Sequence, residues 1–321
     1  MNHRTPLIWL GLCLVGCAPK KTKFVFVPPP TAEAISLLGD TLWTLPIKAA
    51  DGPGLVFRLD EARDLVAQNP GSIDARLVLG RRTEEMGRLR GAIRVYTQAM
   101  QELSADRRLW WRRGRLLLQI REVDLAIRDF QYAAQDNFAR STKGRTEFED
   151  LRTGEGVAVT TILYSTFHYL GFSYYVQGSF EKARVAFATA LKEAGSTDET
   201  IATLFWFFLA SQHAGLAAEG RAMLEKLDPQ VEVSYARAEL DLLLAFRGHR
   251  EIAELPVDLN ARIQTGDQAL YAYGIGVGLL VLDRIEEAIL LFQRVRQAED
   301  WTTWPVLAAE ADLNRLKGAE P

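Results

Sequence analysis

A set of small and bulky residues recurs along this chain, with 34 residues between its first two copies. Each full copy has a glycine, an alanine twelve residues later, an aromatic residue sixteen later and a small residue nineteen later. The full copies are Gly80, Ala92, Tyr96 and Ala99; Gly114, Ala126, Phe130 and Ala133; Gly171, Ala183, Phe187 and Ala190; and Gly276, Ala288, Phe292 and Val295. A weaker copy consists of Phe208, Gly220, Leu224 and Leu227. Such a period is typical of repeat proteins, in which each unit buries the face of its neighbour.

The spacing within each copy indicates a pair of antiparallel helices. A small residue on the first helix lets the second helix approach closely, and the large residue fills the gap between units. Turn-forming residues separate the apolar faces, as in "EMGRLRGA" (85–92) and "VQGSFEKA" (176–183). The apolar residues follow the period of helices, without a run of strand alternation.

Two irregular spacings remain consistent with this period. Gly114 and Gly171 are 57 residues apart, which is one period plus 23 residues, and we place this insertion at 141–163. Gly220 and Ala288 are 68 residues apart, which is two periods. A degenerate unit is therefore predicted at about 235–268, where "AFRGHREIAEL" (245–255) has the pattern of a helix, a turn and a second helix.

The two most complete copies are "WWRRGRLLLQIREVDLAIRDFQYA" (110–133) and "FHYLGFSYYVQGSFEKARVAFATA" (167–190). They resemble the tetratricopeptide repeat (TPR), and about five TPR-like units cover about 73–140 and 164–298. The segment "LDEARDLVAQNP" (59–70) resembles the second helix of an incomplete leading unit. The resemblance implies an all-α solenoid of helical hairpins, wound into a right-handed superhelix, that binds other proteins.

The amino terminus has the features of an export signal. Arg4 supplies a positive charge, and the mostly apolar residues 7–16 are too few to span a bilayer, which needs about 20. The segment "LVGC" (14–17) resembles the lipobox of bacterial lipoproteins, which implies that Cys17 is lipidated and that the chain is cut before it. Cys13 follows the bulky Leu12 and is the poorer candidate. In such lipoproteins of bacteria with two membranes, the residue after the cysteine helps to sort the protein, and Ala18 is not the aspartate associated with retention in the inner membrane. The resemblance therefore implies anchoring in the outer membrane, facing the periplasm.

The predicted organisation has three parts. Residues 1–16 are a lipoprotein signal peptide, and 17–32 are the lipidated cysteine and a proline-rich tether. Residues 33–321 are the TPR-like solenoid with the insertion 141–163. The stretch 301–318 is predicted to form an amphipathic helix that caps the solenoid with a polar outer face.

Composition and motifs give no indication of catalysis. The net charge of −3 does not favour nucleic acid as a partner. Both cysteines lie in the first seventeen residues, and the four histidines (3, 168, 213 and 249) are scattered. No glycine loop has the pattern of a phosphate site. We therefore expect a protein that is not an enzyme, without cofactor, metal or small-molecule substrate.

In a TPR stack the first helix of each unit lines an inner groove. The resemblance implies that this groove is lined by Arg81, Trp111, Arg112, Arg115, His168, Tyr169, Phe172, Tyr175, Phe205 and Trp206. Such a groove runs from basic to aromatic, which favours an apolar helix or an extended peptide with an acidic portion. The alternative is that a tight superhelix, or the segment 141–163, covers these rings and makes them part of the core.

The sequence thus predicts a membrane-anchored periplasmic adaptor that binds protein partners of the cell envelope, in the assembly of an envelope machine. The alternative is a structural subunit built permanently into an envelope complex, such as a pilus, secretion or motility apparatus.

Overall fold

The computed structural model describes residues 30–48, 50–103, 106–135, 146–147, 160–259 and 261–318. The predicted signal peptide, Cys17 and nearly all of the predicted tether lie outside these ranges, as does most of the insertion 141–163. None of the described helices is long and apolar enough to cross a membrane.

Helices that pack on their neighbours in sequence form the body of the protein. They are α1 (Gly52–Gln68), α2 (Ile73–Glu85), α3 (Leu89–Glu102), α4 (Arg107–Gln119), α5 (Val123–Ala133), α6 (Ile162–Gln177), α7 (Phe180–Glu193), α8 (Thr197–His213), α9 (Ala217–Leu224), α10 (Arg237–Phe246), α11 (Gly266–Val281), α12 (Ile285–Val295) and α13 (Trp304–Gly318). The predicted all-α solenoid of helical hairpins is confirmed.

Two local features mark the units. Five of the described first helices begin at a side-chain cap that accepts a hydrogen bond from a backbone N–H of the first turn, and α10 does not. These caps are Ser72, Asp106, Thr161, Ser196 and Thr265. A residue with left-handed backbone closes the turn after each first helix, at Gly87, Arg121, Gly178, Gly215, Gly248 and Asp283. Each lies seven residues after the leading position of its unit, which assigns the leading position of the degenerate unit to Asp241.

The repeated glycines lie where the second helix of a unit packs against the first. A Cβ added at Gly171 would lie 2.6 Å from the ring of Phe187, and one added at Gly276 would lie 2.6 Å from that of Phe292. The other two pairs are Gly80 with Tyr96 and Gly114 with Phe130. These glycines therefore permit the close approach of the two helices that the spacing predicts.

The weaker copy exchanges the sizes of its two contact residues. Phe208 stands on the first helix, where the other copies have glycine, and Gly220 stands on the second, where they have alanine. A Cβ at Gly220 would lie 3.2 Å from the Phe208 ring. Small and large residues still meet, but from opposite helices.

The degenerate unit differs from its prediction. Its first helix is α10, but the predicted second helix is replaced by one 3₁₀ turn (Ile252–Glu254) in an otherwise irregular segment, 247–265 without the undescribed residue 260. Pro256 gives the physical reason, because proline lacks the N–H that a helix needs and disfavours helical backbone in the residue before it.

An amino-terminal β-hairpin, which the sequence analysis did not predict, precedes the helices. Strands β1 (Ala32–Ile35) and β2 (Thr41–Trp43) pair antiparallel. Glu33 accepts a hydrogen bond from the backbone N–H of Arg90 at the start of α3, at 2.8 Å. The indole Nε1 of Trp301 donates to the carbonyl oxygen of Trp43, at 2.8 Å. The hairpin therefore joins the first full unit to the carboxyl-terminal region.

A second antiparallel pair, β3 (Thr146–Glu147) with β4 (Thr160–Thr161), lies within the predicted insertion.

Helix α13 is not a cap with a polar outer face. Its residues Pro305–Leu313 are all buried, including two carboxylates, Glu310 and Asp312. It packs against α12, α11 and, from the middle of the chain, α6. The helix therefore lies inside the curve of the solenoid and belongs to its core.

The glycine contacts predict a specific loss of stability. Gly171→Ala should lower the free energy of unfolding by about 1–3 kcal/mol, because the new methyl group overlaps the ring of Phe187 and the backbones must separate. The control is Gly54→Ala on α1, where the new Cβ would meet only the end of the Arg58 side chain at 3.6 Å. Guanidinium denaturation measures both, and an equal loss for the two variants would contradict the explanation.

Candidate functional site

The aromatic residues predicted to line the groove do lie together, but they form core. Phe172 and Tyr175 of α6 and Phe205 and Trp206 of α8 are each at most 3% exposed. The ring centroid of Trp206 lies 4.6 Å from that of Phe172 and 5.4 Å from that of Tyr175. Edge-to-face packing of this kind adds to the free energy of burial.

Helix α13 covers these rings. The centroid of its first residue, Trp304, lies 5.1 Å from that of Tyr169 and 5.4 Å from that of Phe172. At the other end of α13, the guanidinium of Arg315 donates to the carbonyl oxygen of Val176, in the last turn of α6, at 3.0 Å. Helix α13 therefore occupies the groove that was predicted to bind a partner protein.

A buried chain of hydroxyl and carboxyl groups links α6, α11 and α13. Tyr273 donates its hydroxyl proton to Oδ2 of Asp312 at 2.7 Å, so Tyr175, 2.7 Å from the Tyr273 hydroxyl, donates in turn to Tyr273. Asp312 also pairs with Arg315, one turn along α13. Burial raises the pKa of both tyrosines well above the usual value, so both hydroxyls keep their protons at neutral pH.

A second polar contact fixes α13 from the opposite side. Arg121, in the turn between α4 and α5, donates through Nη2 to Oε1 of Glu310 at 2.6 Å and through Nε to Oε2 at 3.0 Å. Both side chains are at most 3% exposed. Oε2 also accepts the backbone N–H of Leu37 in the hairpin at 3.1 Å. Glu310 therefore holds α13, the second full unit and the amino-terminal hairpin together.

The predicted basic end of the groove is also engaged within the protein. Arg115 forms an ion pair with Glu84 of α2, and the Arg112 guanidinium lies 4.7 Å above the buried Trp111 ring. Arg81 is half-buried on α2. The ion pair of Arg115 with Glu84 joins the first two full units, and Arg112 contacts a ring of its own helix.

The side chain of His168 contacts two aromatic rings and one hydroxyl group. Its Nδ1 is 2.9 Å from Oγ1 of Thr203 on α8, and its ring contacts those of Tyr169 and Phe187. Burial lowers the pKa of His168 to about 4, and burial also lowers the pKa of His213, which lies near Asp312. Both imidazoles are therefore neutral parts of the core at neutral pH.

Of the two alternatives for the groove, the structure has the covered one. The rings are covered, and helix α13 covers them. The segment 141–163, named in advance as a possible cover, lies mostly outside the described residues. The proposed role of these ten residues in binding a partner stays a prediction, and in this conformation it would require α13 to leave the groove.

The residues that decide this arrangement were not singled out from the sequence. Arg121 lies within one of the two most complete copies of the repeat, and Glu310 and Asp312 lie in the helix that was predicted to cap the solenoid. One signal was present, since "PVLAAEADL" (305–313) surrounds both carboxylates with apolar residues on every helical face. A helix of this kind is buried on all sides.

The described residues define an all-α repeat protein with a self-filled groove. Nowhere among them do three side chains of the kinds that bind metals cluster together.

No protein-family model matches the chain, and no curated protein matches it in sequence. Similar solved structures include the crystal structure of MamA, 17% identical with a TM-score of 0.41, where the match covers 57% of this chain and 94% of that one. Another is a tetratricopeptide repeat protein from Parabacteroides merdae, 14% identical with a TM-score of 0.46, covering 83% of this chain and 94% of that one. The fold assignment therefore rests on the helical hairpins themselves.

Two substitutions distinguish the contribution of the Arg121–Glu310 ion pair to stability from the backbone strain of the turn that contains Arg121. Arg121 has a φ of 70°, which is unfavourable for a residue with a side chain, and Asp283 occupies the equivalent position with a φ of 58°. Arg121→Gly should nevertheless lower the free energy of unfolding by about 3–5 kcal/mol, because it leaves Glu310 buried without its counter-ion.

Asp283→Gly is the matched control. Asp283 is exposed, so glycine should raise the free energy of unfolding by up to about 1 kcal/mol. Chemical denaturation of both variants gives the comparison. Stabilisation by Arg121→Gly as well would mean that the ion pair contributes nothing.

The lowered pKa of His168 predicts how the stability of the protein depends on pH. Its pKa in the folded protein, about 4, lies below the value of about 6.5 in an unfolded chain, so the unfolded state binds the proton first as pH falls. The stability that neutral His168 provides is fully present above pH 6.5 and is lost as the pH falls from 6.5 to 4. At pH 5 the loss in the free energy of unfolding is about 2 kcal/mol. Denaturation at pH 7 and pH 5 should show a smaller decrease for His168→Asn than for the unmodified protein. An equal decrease would exclude His168 as its source.

Proposed function

We propose that this protein is a lipid-anchored scaffold of the bacterial cell envelope, which presents a rigid helical solenoid to protein partners. The observation that carries the proposal is the self-filled groove. With α13 inside the groove, the outer surface of the second helices is the large surface left for other proteins. Stacked repeats supply such extended surfaces, and their usual role is binding.

The start of the hairpin limits how far the solenoid can lie from an anchored Cys17. Thr31, the first residue before β1, already hydrogen-bonds through its backbone N–H to Thr44, at 3.1 Å. Fourteen residue-to-residue steps separate Cys17 from Thr31, and they can span at most about 50 Å. If Cys17 carries the lipid, the solenoid is held within that distance of the bilayer surface.

Lipidation is tested by metabolic labelling with a palmitate analogue in a bacterial host. The protein should take up the label and fractionate with the outer membrane, and Cys17→Ser should lose the label and release the protein into the soluble periplasmic fraction. Cys13→Ser is the control and should behave as the unmodified protein. Label retained by Cys17→Ser, or lost with Cys13→Ser, would contradict the assignment of Cys17.

The scaffold role is tested separately by chemical crosslinking in cells followed by mass spectrometry. Lys182 and Lys192 are exposed on the second helix α7 and provide attachment points on the outer surface. Crosslinks from these lysines to the same envelope proteins in repeated experiments are the expected result. Crosslinks confined to the chain itself would contradict a scaffold.

A further inference from the structure

The degenerate unit leaves a gap in the row of second helices. In the neighbouring units α9 and α12 are the second helices, and the helix that should stand between them is replaced by the irregular segment 247–265. The gap is bordered by the first helices α8, α10 and α11 and by the second helices α9 and α12. These are the surfaces on which the missing helix would pack.

The gap is an open cleft of about 760 Å³ with an apolar lining. Its lining includes Phe208 and Phe246, whose stacked ring centroids are 5.2 Å apart, and Gly278 of α11 lies against Phe246. Ile252 and Leu259 of the irregular segment line it without filling it. A helix with its side chains is about 10 Å wide, and the complete units accept one at the corresponding place.

Exposed apolar side chains cluster around this cleft. Val281, Leu282 and Leu290 are 58%, 63% and 59% exposed, and Ile252 is 43% exposed. All four line the cleft. Isolated exposed apolar residues are normal on a protein surface, but a contiguous set around a concave apolar lining indicates an interaction site.

The charges of the cleft select one kind of occupant. Three arginines line it, Arg221, Arg284 and Arg294, with one carboxylate, Glu287, which pairs with Arg284. Among the described residues, Arg221 has no ion-pair partner. Arg294 donates to the carbonyl oxygen of Leu259, so the charge that an incoming segment would meet is mainly that of Arg221. Acidic side chains on such a segment would be attracted to it.

We propose that this cleft binds an amphipathic helix of a partner protein, with one apolar face and acidic residues beside it, so that the partner completes the unit of α10. The proposal rests on the scaffold function proposed above and names the kind of partner. The helix would take the position between α9 and α12, with a large apolar residue directed towards Phe208 and Phe246.

A peptide from this chain serves as the probe. Residues 122–135 ("EVDLAIRDFQYAAQ") form the second helix of the second full unit, with Ala126, Phe130 and Ala133 on one face. Three carboxylates against one arginine give the peptide a net charge of −2. A fluorescein-labelled version is titrated with the full chain carrying Cys17→Ser, and fluorescence anisotropy follows binding. We expect saturable binding that weakens with added salt.

Variants of exposed residues locate the binding. Leu282→Glu combined with Leu290→Glu should weaken binding at least about tenfold, because both side chains lie at the edge of the apolar lining. Val185→Glu is the matched control: Val185 is also exposed, at 68%, but lies on the second helix α7 away from the cleft. Arg221→Glu should weaken binding and reduce its dependence on salt. Unchanged melting temperatures would show that the variants remain folded, since exposed sites tolerate substitution.

Other results would overturn the proposal. These are equal binding to the Leu282/Leu290 variant and the unmodified chain, or no saturable binding at all. Stoichiometric binding of dodecanoate without binding of the peptide would assign the cleft to an acyl chain. A dimer that the Leu282/Leu290 substitutions dissociate, again without peptide binding, would assign it to a second copy of this chain.

The crosslinking experiment distinguishes failure of the cleft from failure of the scaffold function. If the scaffold function holds and the cleft proposal is wrong, the Leu282/Leu290 variant captures the same envelope proteins as the unmodified chain. If the scaffold function itself is wrong, neither captures any. Loss of a partner in the Leu282/Leu290 variant alone, and not in Val185→Glu, supports both.

Discussion

The close contact between a glycine on one helix and an aromatic ring on the next is the constraint on which the other features depend. At Gly171 and Gly276 there is no space for a Cβ, so the paired helices pack at a distance that a larger residue would prevent. Repeated along the chain, this contact fixes the hairpins and, with them, the curve of the stack. At Phe208 and Gly220 the sizes are exchanged, which shows that the complementarity of the pair matters more than the helix that carries the small residue.

The curve of the stack creates a concave face, and the protein fills that face with its own helix. Helix α13 brings Glu310 to Arg121 and Asp312 to Tyr273, so that each buried charge has partners. The backbone of Arg121 has a left-handed conformation that glycine would adopt more easily. The residue at that position supplies the guanidinium that Glu310 requires, and the strain of the turn is offset by the buried ion pair.

Filling the groove changes which surfaces are available for binding. The aromatic rings that would anchor a peptide in an open groove stabilise the body instead, and four exposed apolar residues, Ile252, Val281, Leu282 and Leu290, lie together where a second helix is missing. The interruption by Pro256 and the exposure of Leu282 and Leu290 have one origin, because a helix that is not formed leaves the residues it would have covered in contact with water.

The helical hairpins, their period and the pairs of residues that meet within the full copies could be predicted from the sequence, because these contacts join residues only sixteen positions apart. The sequence also indicated that a unit near 235–268 is irregular, although it suggested a second helix that is not formed. The entry of α13 into the groove could be seen only in the folded protein, because the contacts of Arg121 with Glu310 and of Arg315 with the carbonyl oxygen of Val176 join distant parts of the chain and leave no periodic pattern. A local pattern shows which face of a helix is apolar, whereas the partner of that face depends on how the whole stack curves.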